Sequence, residues 1–88
     1  VEGLKQASAG SLESNDLLVF VSPGSGIKIE IESSVKLQFE AHIREAILSV
    51  VHELGVHDIH IKVEDKGALD FAVRARVKSA ILRARGEK

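Results

Sequence analysis

The chain has 88 residues, 44% hydrophobic and 28% charged, with a net charge of −1 and no cysteine. Folding at this length buries roughly 60–65% of the surface an unfolded chain exposes, enough for one modest core and not for a cleft between two domains. The composition is too apolar for disorder. Lack of Cys excludes disulfide scaffolds, thiolate–zinc sites and thiol catalysis, and no apolar run is long enough to span a membrane. With no basic-then-apolar leader in view, the cytoplasm is the expected compartment. The charge is unevenly spread: residues 1–61 hold four basic and nine acidic side chains, residues 62–88 eight basic and four acidic. A basic C-terminal part suits an acidic or phosphate-bearing partner, or simply solvated faces.

Residues 1–16 are small and polar, with Gly3, Gly10 and several serines, and read as a flexible or loosely docked segment of a single domain spanning 1–88, ending in a turn at Glu13-Ser14-Asn15-Asp16. Leu17 to Val21 is apolar and partly β-branched, as a buried strand requires. Pro23-Gly24-Ser25-Gly26 closes it, and Ile27 to Glu32 alternates isoleucine with charge, which predicts a half-buried hairpin partner. Ser33-Ser34 is placed to cap a helix of about 20 residues, its stripe running through Val35, Phe39, Ile43, Ile47, Val50, Val51 and Leu54 and its stop at Gly55. Val56 to Val63 alternates again, and Glu64-Asp65-Lys66-Gly67 is a turn.

Residues 69–77 fit two patterns. Leu69, Phe71, Val73, Ala75 and Val77 alternate with polar residues, while Leu69, Val73, Val77, Ala80, Ile81 and Ala84 fit a helical stripe. The tight turn and the Arg74-Ala75-Arg76 alternation favour a strand to about residue 76, then a short helix to about residue 85. The expected architecture is an α+β two-layer domain, ββαββα in order, with a small antiparallel sheet packed against one long helix.

Few residues are arranged for chemistry. His57 and His60 fall on opposite faces of a strand, so with His42 and His52 they make a poor metal cluster. The Gly-x-Ser-x-Gly elbow of serine hydrolases is absent, although Pro23-Gly24-Ser25-Gly26 resembles part of it. Phosphate-cradling loops are absent too. The aromatic residues are three Phe, too few to build stacking platforms for nucleic acid, although Arg74, Arg76, Arg83 and Arg85 could meet phosphates. Ser14 stands in a small, polar, acidic turn. From pattern alone it is a turn-forming serine, or else a hydroxyl placed for another enzyme to modify.

The stretches Ala9-Gly10-Ser11-Leu12-Glu13-Ser14-Asn15-Asp16, Ser34-Val35, Gln38-Phe39, Ile43-Arg44, Glu64-Asp65-Lys66-Gly67-Ala68-Leu69-Asp70 and Arg74-Ala75-Arg76 resemble the acyl carrier, or gamma, subunits of citrate lyases, from about Gly10 to Ala84. The Asp-Lys-Gly-Ala-Leu-Asp and Arg-Ala-Arg runs are the specific part of the likeness. Two departures stand out: Val1 where the family opens with Met, and Phe71 where it has Cys, the second expected to bear on core packing. The resemblance implies a non-catalytic carrier. Ser14 would be joined by a phosphodiester to phosphoribosyl-dephospho-coenzyme A, installed by a dedicated transferase. The arm's thiol would carry acetyl and citryl thioesters between an alpha subunit, which exchanges acetyl for citrate, and a beta subunit, which cleaves citryl to oxaloacetate. Neither nucleic acid nor membrane is an implied partner. Arg74 and Arg76 are the residues expected to dock phosphates of the arm or an acidic partner face. Two other readings stay open: an interaction domain, in which Ser14 is dispensable, and a phosphate- or RNA-binding domain with salt-sensitive binding through the C-terminal arginines.

Overall fold

The computed structural model describes residues 4–33 and 37–86. It is α+β in two layers: four strands, β1 (Ala7–Gly10), β2 (Leu17–Pro23), β3 (Ile27–Ser33) and β4 (Ile59–Asp65), and two helices, α1 (Leu37–Glu53) and α2 (Asp70–Ala84). The expected small sheet packed against helical structure is present, in the order βββαβα.

Strand alternation decides which side of the sheet is covered. Leu17, Val19 and Val21 of β2 and Ile59, Ile61 and Val63 of β4 are buried, while their neighbours Phe20 and Lys62 face outward. Helical spacing supplies the second layer: Ile43, Ala46, Ile47, Val50 and Val51 from α1, and Val73, Val77, Ala80, Ile81 and Ala84 from α2, close the core over that apolar face. Gly55, at φ 69°, ends the α1 region in the left-handed conformation that glycine adopts freely. Ser34, half of the expected cap, lies outside the described residues.

The topology departs from the expected all-antiparallel order. The sheet runs β1-β2-β4-β3, with β1–β2 and β2–β4 antiparallel and β3–β4 parallel. β2 and β3 are therefore not hairpin partners; β4 lies between them. The Pro23–Gly26 connection crosses the start of β4 instead of folding back on itself. Ile59 N–H donates to Gly26 O at 2.9 Å, Gly26 N–H donates to Asp58 Oδ1 at 2.8 Å, and a Cβ on Gly24 would sit 3.1 Å from His60 N. The parallel β3–β4 pair then needs the long crossover that α1 provides.

Two further segments differ from the sequence reading. Residues 7–10, expected within a flexible tail, form strand β1 against β2, in register from Ala7–Val21 to Gly10–Leu18. Residues 70–76, expected as a strand, belong to helix α2. The positions buried there are four, three and one apart, and Asp70 pairs with Arg74 one turn away at 2.7 Å, as helix geometry allows and strand geometry does not.

Asp65 ends β4 and is 2% exposed. Its Oδ2 accepts from Ser33 Oγ at 2.9 Å and its Oδ1 from Ala68 N–H at 3.0 Å, so one carboxylate ties the end of β3 to the β4–α2 turn. Asp65→Ala is expected to cost about 2 kcal/mol, because it removes both bonds of the buried carboxylate and leaves the Ala68 amide donor unpaired in a part-buried site. A urea titration checks this; an unchanged midpoint would mean that water replaces the carboxylate freely.

Candidate functional site

The six residues joining β1 to β2 form a loop with Ser14 exposed near its apex. Asp16 N–H donates to Glu13 O at 3.1 Å, closing a turn over 13–16, and Asn15 takes φ 66°, a conformation its short polar side chain tolerates. Ser11 N–H donates to Leu17 O at 3.1 Å across the base of the loop. The Ser11 hydroxyl donates to Asp16 Oδ2 at 2.7 Å and accepts from Glu13 N–H at 3.3 Å.

This loop is anchored to the rest of the fold. Asn15 N–H donates to Lys66 O at 2.8 Å and Lys66 N–H to Asp16 O at 2.9 Å, joining it to the β4–α2 turn as two strands would be joined. From α2, Arg76 grips Asp16 with a two-pronged contact, Nε to Oδ1 at 3.0 Å and Nη2 to Oδ2 at 2.8 Å. Leu17 N–H adds a bond to Oδ1 at 2.7 Å. Each carboxylate oxygen thus accepts two hydrogen bonds. Arg76 first, then Ser11 and Leu17 N–H, hold the Asp16 carboxyl at about 2, against an ordinary 3.8. So saturated a carboxylate is no base for the neighbouring hydroxyl.

The other residues singled out in the sequence lie apart. Arg74 sits on a different side of α2, bonded to Asp70 and, at 3.1 Å, to Ser49 Oγ of α1. Arg83 and Arg85 donate to the backbone oxygens of Ser8 and Leu54. The basic C-terminal part is therefore largely engaged within the domain. His60 pairs with Glu30 on the open sheet face, and that hydrogen bond lowers the Glu30 pKa. Among the described residues no three His, Cys, Asp or Glu side chains converge as a metal ion would need, and no helix is long and apolar enough to cross a membrane.

Beside the loop lies a groove of about 630 Å³, walled by Ser14 and Asn15 on one side and by Leu69, Phe71, Ala72 and Arg76 on the other. Phe71, expected in the core, is 71% exposed and Leu69 63%. Phe71 follows the first residue of α2 on its outer side, and its variation concerns the surface next to Ser14. Sequence reading missed the Arg76–Asp16 contact because sixty positions separate the two residues. The only hint was Arg76 itself, within the Arg-Ala-Arg run.

The sequence profile of the family described as "Malonate decarboxylase delta subunit (MdcD)", an acyl carrier family, matches residues 4–84. The citrate lyase acyl carrier protein of Albidiferax ferrireducens is 51% identical over 86 residues, covering 96% of this chain and 88% of that protein. That of Fusobacterium nucleatum is 50% identical over 78 residues, 86% of this chain and 83% of its own. Among solved structures, a chain in the Pseudomonas malonate decarboxylase hetero-tetramer with malonate superposes with a TM-score of 0.78 at 24% identity, over 93% of this chain and 86% of that one. The last likeness shows a common fold, and the sequence relatives show more: the chain belongs to the citrate lyase acyl carrier protein family.

Proposed function

We propose that this acyl carrier subunit of citrate lyase bears its covalent arm on Ser14, through a phosphodiester to phosphoribosyl-dephospho-coenzyme A. One observation carries the assignment: Ser14 offers an exposed hydroxyl near the apex of a loop that is otherwise hydrogen-bonded down on both flanks. A transferase can reach such a hydroxyl without unfolding the domain, and a bulky group added there displaces no core residue. The residues fit the group. Ser14 opens onto a groove, Arg76 brings a cation to its wall and neutralises Asp16 there, and the Glu13 carboxylate also lines it.

When attached, the arm supplies a terminal thiol for acetyl and citryl thioesters, and the chain supplies position and reach. Tethering raises the concentration of the acyl group at each partner site, provided the arm spans the distance. The partners are an alpha subunit that exchanges acetyl for citrate, a beta subunit that cleaves citryl, and the transferase that loads Ser14. On this reading the chain carries the acyl group and leaves these steps to its partners; the hydrogen bonds that hold the Asp16 carboxyl at about 2 make it a poor base for the Ser14 hydroxyl. A working thiol on the arm favours the cytoplasm, where thiols stay reduced.

The test is the intact mass of the carrier purified with its lyase partners, followed by fragmentation. A nucleotide-type adduct is expected on Ser14, and Ser14→Ala is expected to lose both the adduct and lyase activity. A fully active assembly with Ser14 unmodified would overturn the assignment in favour of an interaction domain.

A further inference from the structure

The groove beside Ser14 has an unusual wall. Leu69 and Phe71 are the two most exposed of the large apolar side chains in the described chain, and they stand two residues apart where α2 begins. Large apolar groups gain nothing from lying in water, and a paired exposure of this kind marks a surface that something covers. The opposite wall carries the Ser14 hydroxyl itself, with the Glu13 carboxylate beside it. Arg76 lies at the same groove with its Nε and Nη2 committed to Asp16, while Nη1 has no acceptor among the described residues. A guanidinium carries five N–H donors, so the Nη1 edge can still meet an anion.

We infer that this groove is a resting site for the nucleotide part of the arm, with Phe71 and Leu69 taking the adenine face and Arg76 the phosphate. The inference rests on Ser14 being the attachment point. Three features favour the arm over a partner protein as occupant. The attachment hydroxyl lines the groove, so an arm fixed there starts inside it. The groove's volume of about 630 Å³ falls within the range of small-molecule sites. An aromatic ring beside a cation complements a purine joined to phosphate, since base faces stack on aromatic side chains. Tethering completes the argument: a contact too weak to capture free nucleotide holds a ligand whose effective concentration is millimolar. A rested nucleotide would shorten the free length of the arm, leaving the pantetheine end to travel between subunits.

The test compares the full-length carrier before and after loading by the transferase, using two-dimensional NMR with intact mass on the same samples. Adenine H2 and H8 are expected to move upfield from their positions in free dephospho-coenzyme A and to show cross-relaxation to the Phe71 ring. The amides of Gly67, Leu69 and Ala72 should shift along with those of the loop. In Phe71→Ala carrier, loaded to completion by mass, the upfield displacement should disappear. A Ser14 adduct whose adenine resonates as in free nucleotide, with amide shifts confined to residues 13–15, would overturn the resting site and leave the attachment point standing. A mass that places no adduct on Ser14 would overturn both.

Discussion

Arg76→Gln is expected to lower the transferase's kcat/KM for loading Ser14 by about tenfold to a hundredfold, while the domain stays folded. The side chain is part-exposed and belongs to no apolar contact of the core, so its loss leaves the helix and sheet packed. What it removes is the two-pronged hold on Asp16, which among the described residues is the one side-chain hydrogen-bond link between the Ser14 loop and α2. A hydroxyl displaced by about 1 Å from its attacking position can cost 10²-fold in rate. Arg76→Lys should recover part of the loss, because an ammonium keeps the charge and forfeits the fork. The carboxyl of Asp16 reports the same contact independently. Its folded value is about 2, below the ordinary 3.8, so an unfolded chain binds more protons between those values and stability rises with pH there. This contribution is fully present above about 4 and is lost as pH falls through about 2. With Arg76, the largest cause, removed, the Asp16 midpoint should move back toward 3.8 in a carbon-detected titration. Normal loading together with an unmoved midpoint would show that the contact neither positions the loop nor holds the carboxylate.

What the sequence made legible follows from the range of each interaction. The apolar run at 17–21, the alternation in 27–32 and 56–63, and the helical stripe ending at Leu54 depend on neighbours within one or two turns, and each element formed near where it was expected, although Phe39 of that stripe is exposed and Val35 lies outside the described residues. Pairing is a long-range choice. The isoleucines of β3 would satisfy β2 or β4 equally well, and contacts of Gly24 and Gly26 with Asp58 and the start of β4 decide the matter across more than thirty positions. α2 was obscured by its own composition. Its Val73 and Val77 satisfy both periods, and its N-cap position holds Leu69, which makes no side-chain cap and so sends none of the usual starting signal. β1 is short, with Ala7, Ser8, Ala9 and Gly10 carrying little β propensity, and is held by its partner strand and α2 more than by itself. Ser14 was legible as an exposed turn serine and, through the resemblance, as a site. Its setting was not, because Lys66, Phe71 and Arg76 come to it from the far end of the chain.

Gly10→Ala is expected to be the most damaging single methyl in the site, costing about 3 kcal/mol of stability and most of the loading rate. Gly10 has φ +99°, which L side chains rarely adopt, and a Cβ there would lie 1.9 Å from Leu17 O and 3.0 Å from Leu17 C. Both are backbone atoms of a buried position in β2, so neither can turn aside; strand β1 must move. The same Cβ would crowd Arg76 Cδ at 3.3 Å, on the side chain that holds Asp16. Gly26→Ala is the matched control. Its φ of +74° is also unfavourable, yet nothing lies within 4 Å of the added carbon, so only the conformational cost of about 1 kcal/mol applies. Urea titrations of the two variants separate close approach from backbone conformation, and equal costs would mean that β1 shifts without resistance. Loading adds the functional half. Because Gly10 lies where β1, β2 and Arg76 meet, its substitution should reduce stability and loading together, whereas Arg76→Gln should reduce loading in a domain that still melts cooperatively. That divergence would assign the hairpin two separable tasks, holding the edge of the sheet and presenting Ser14.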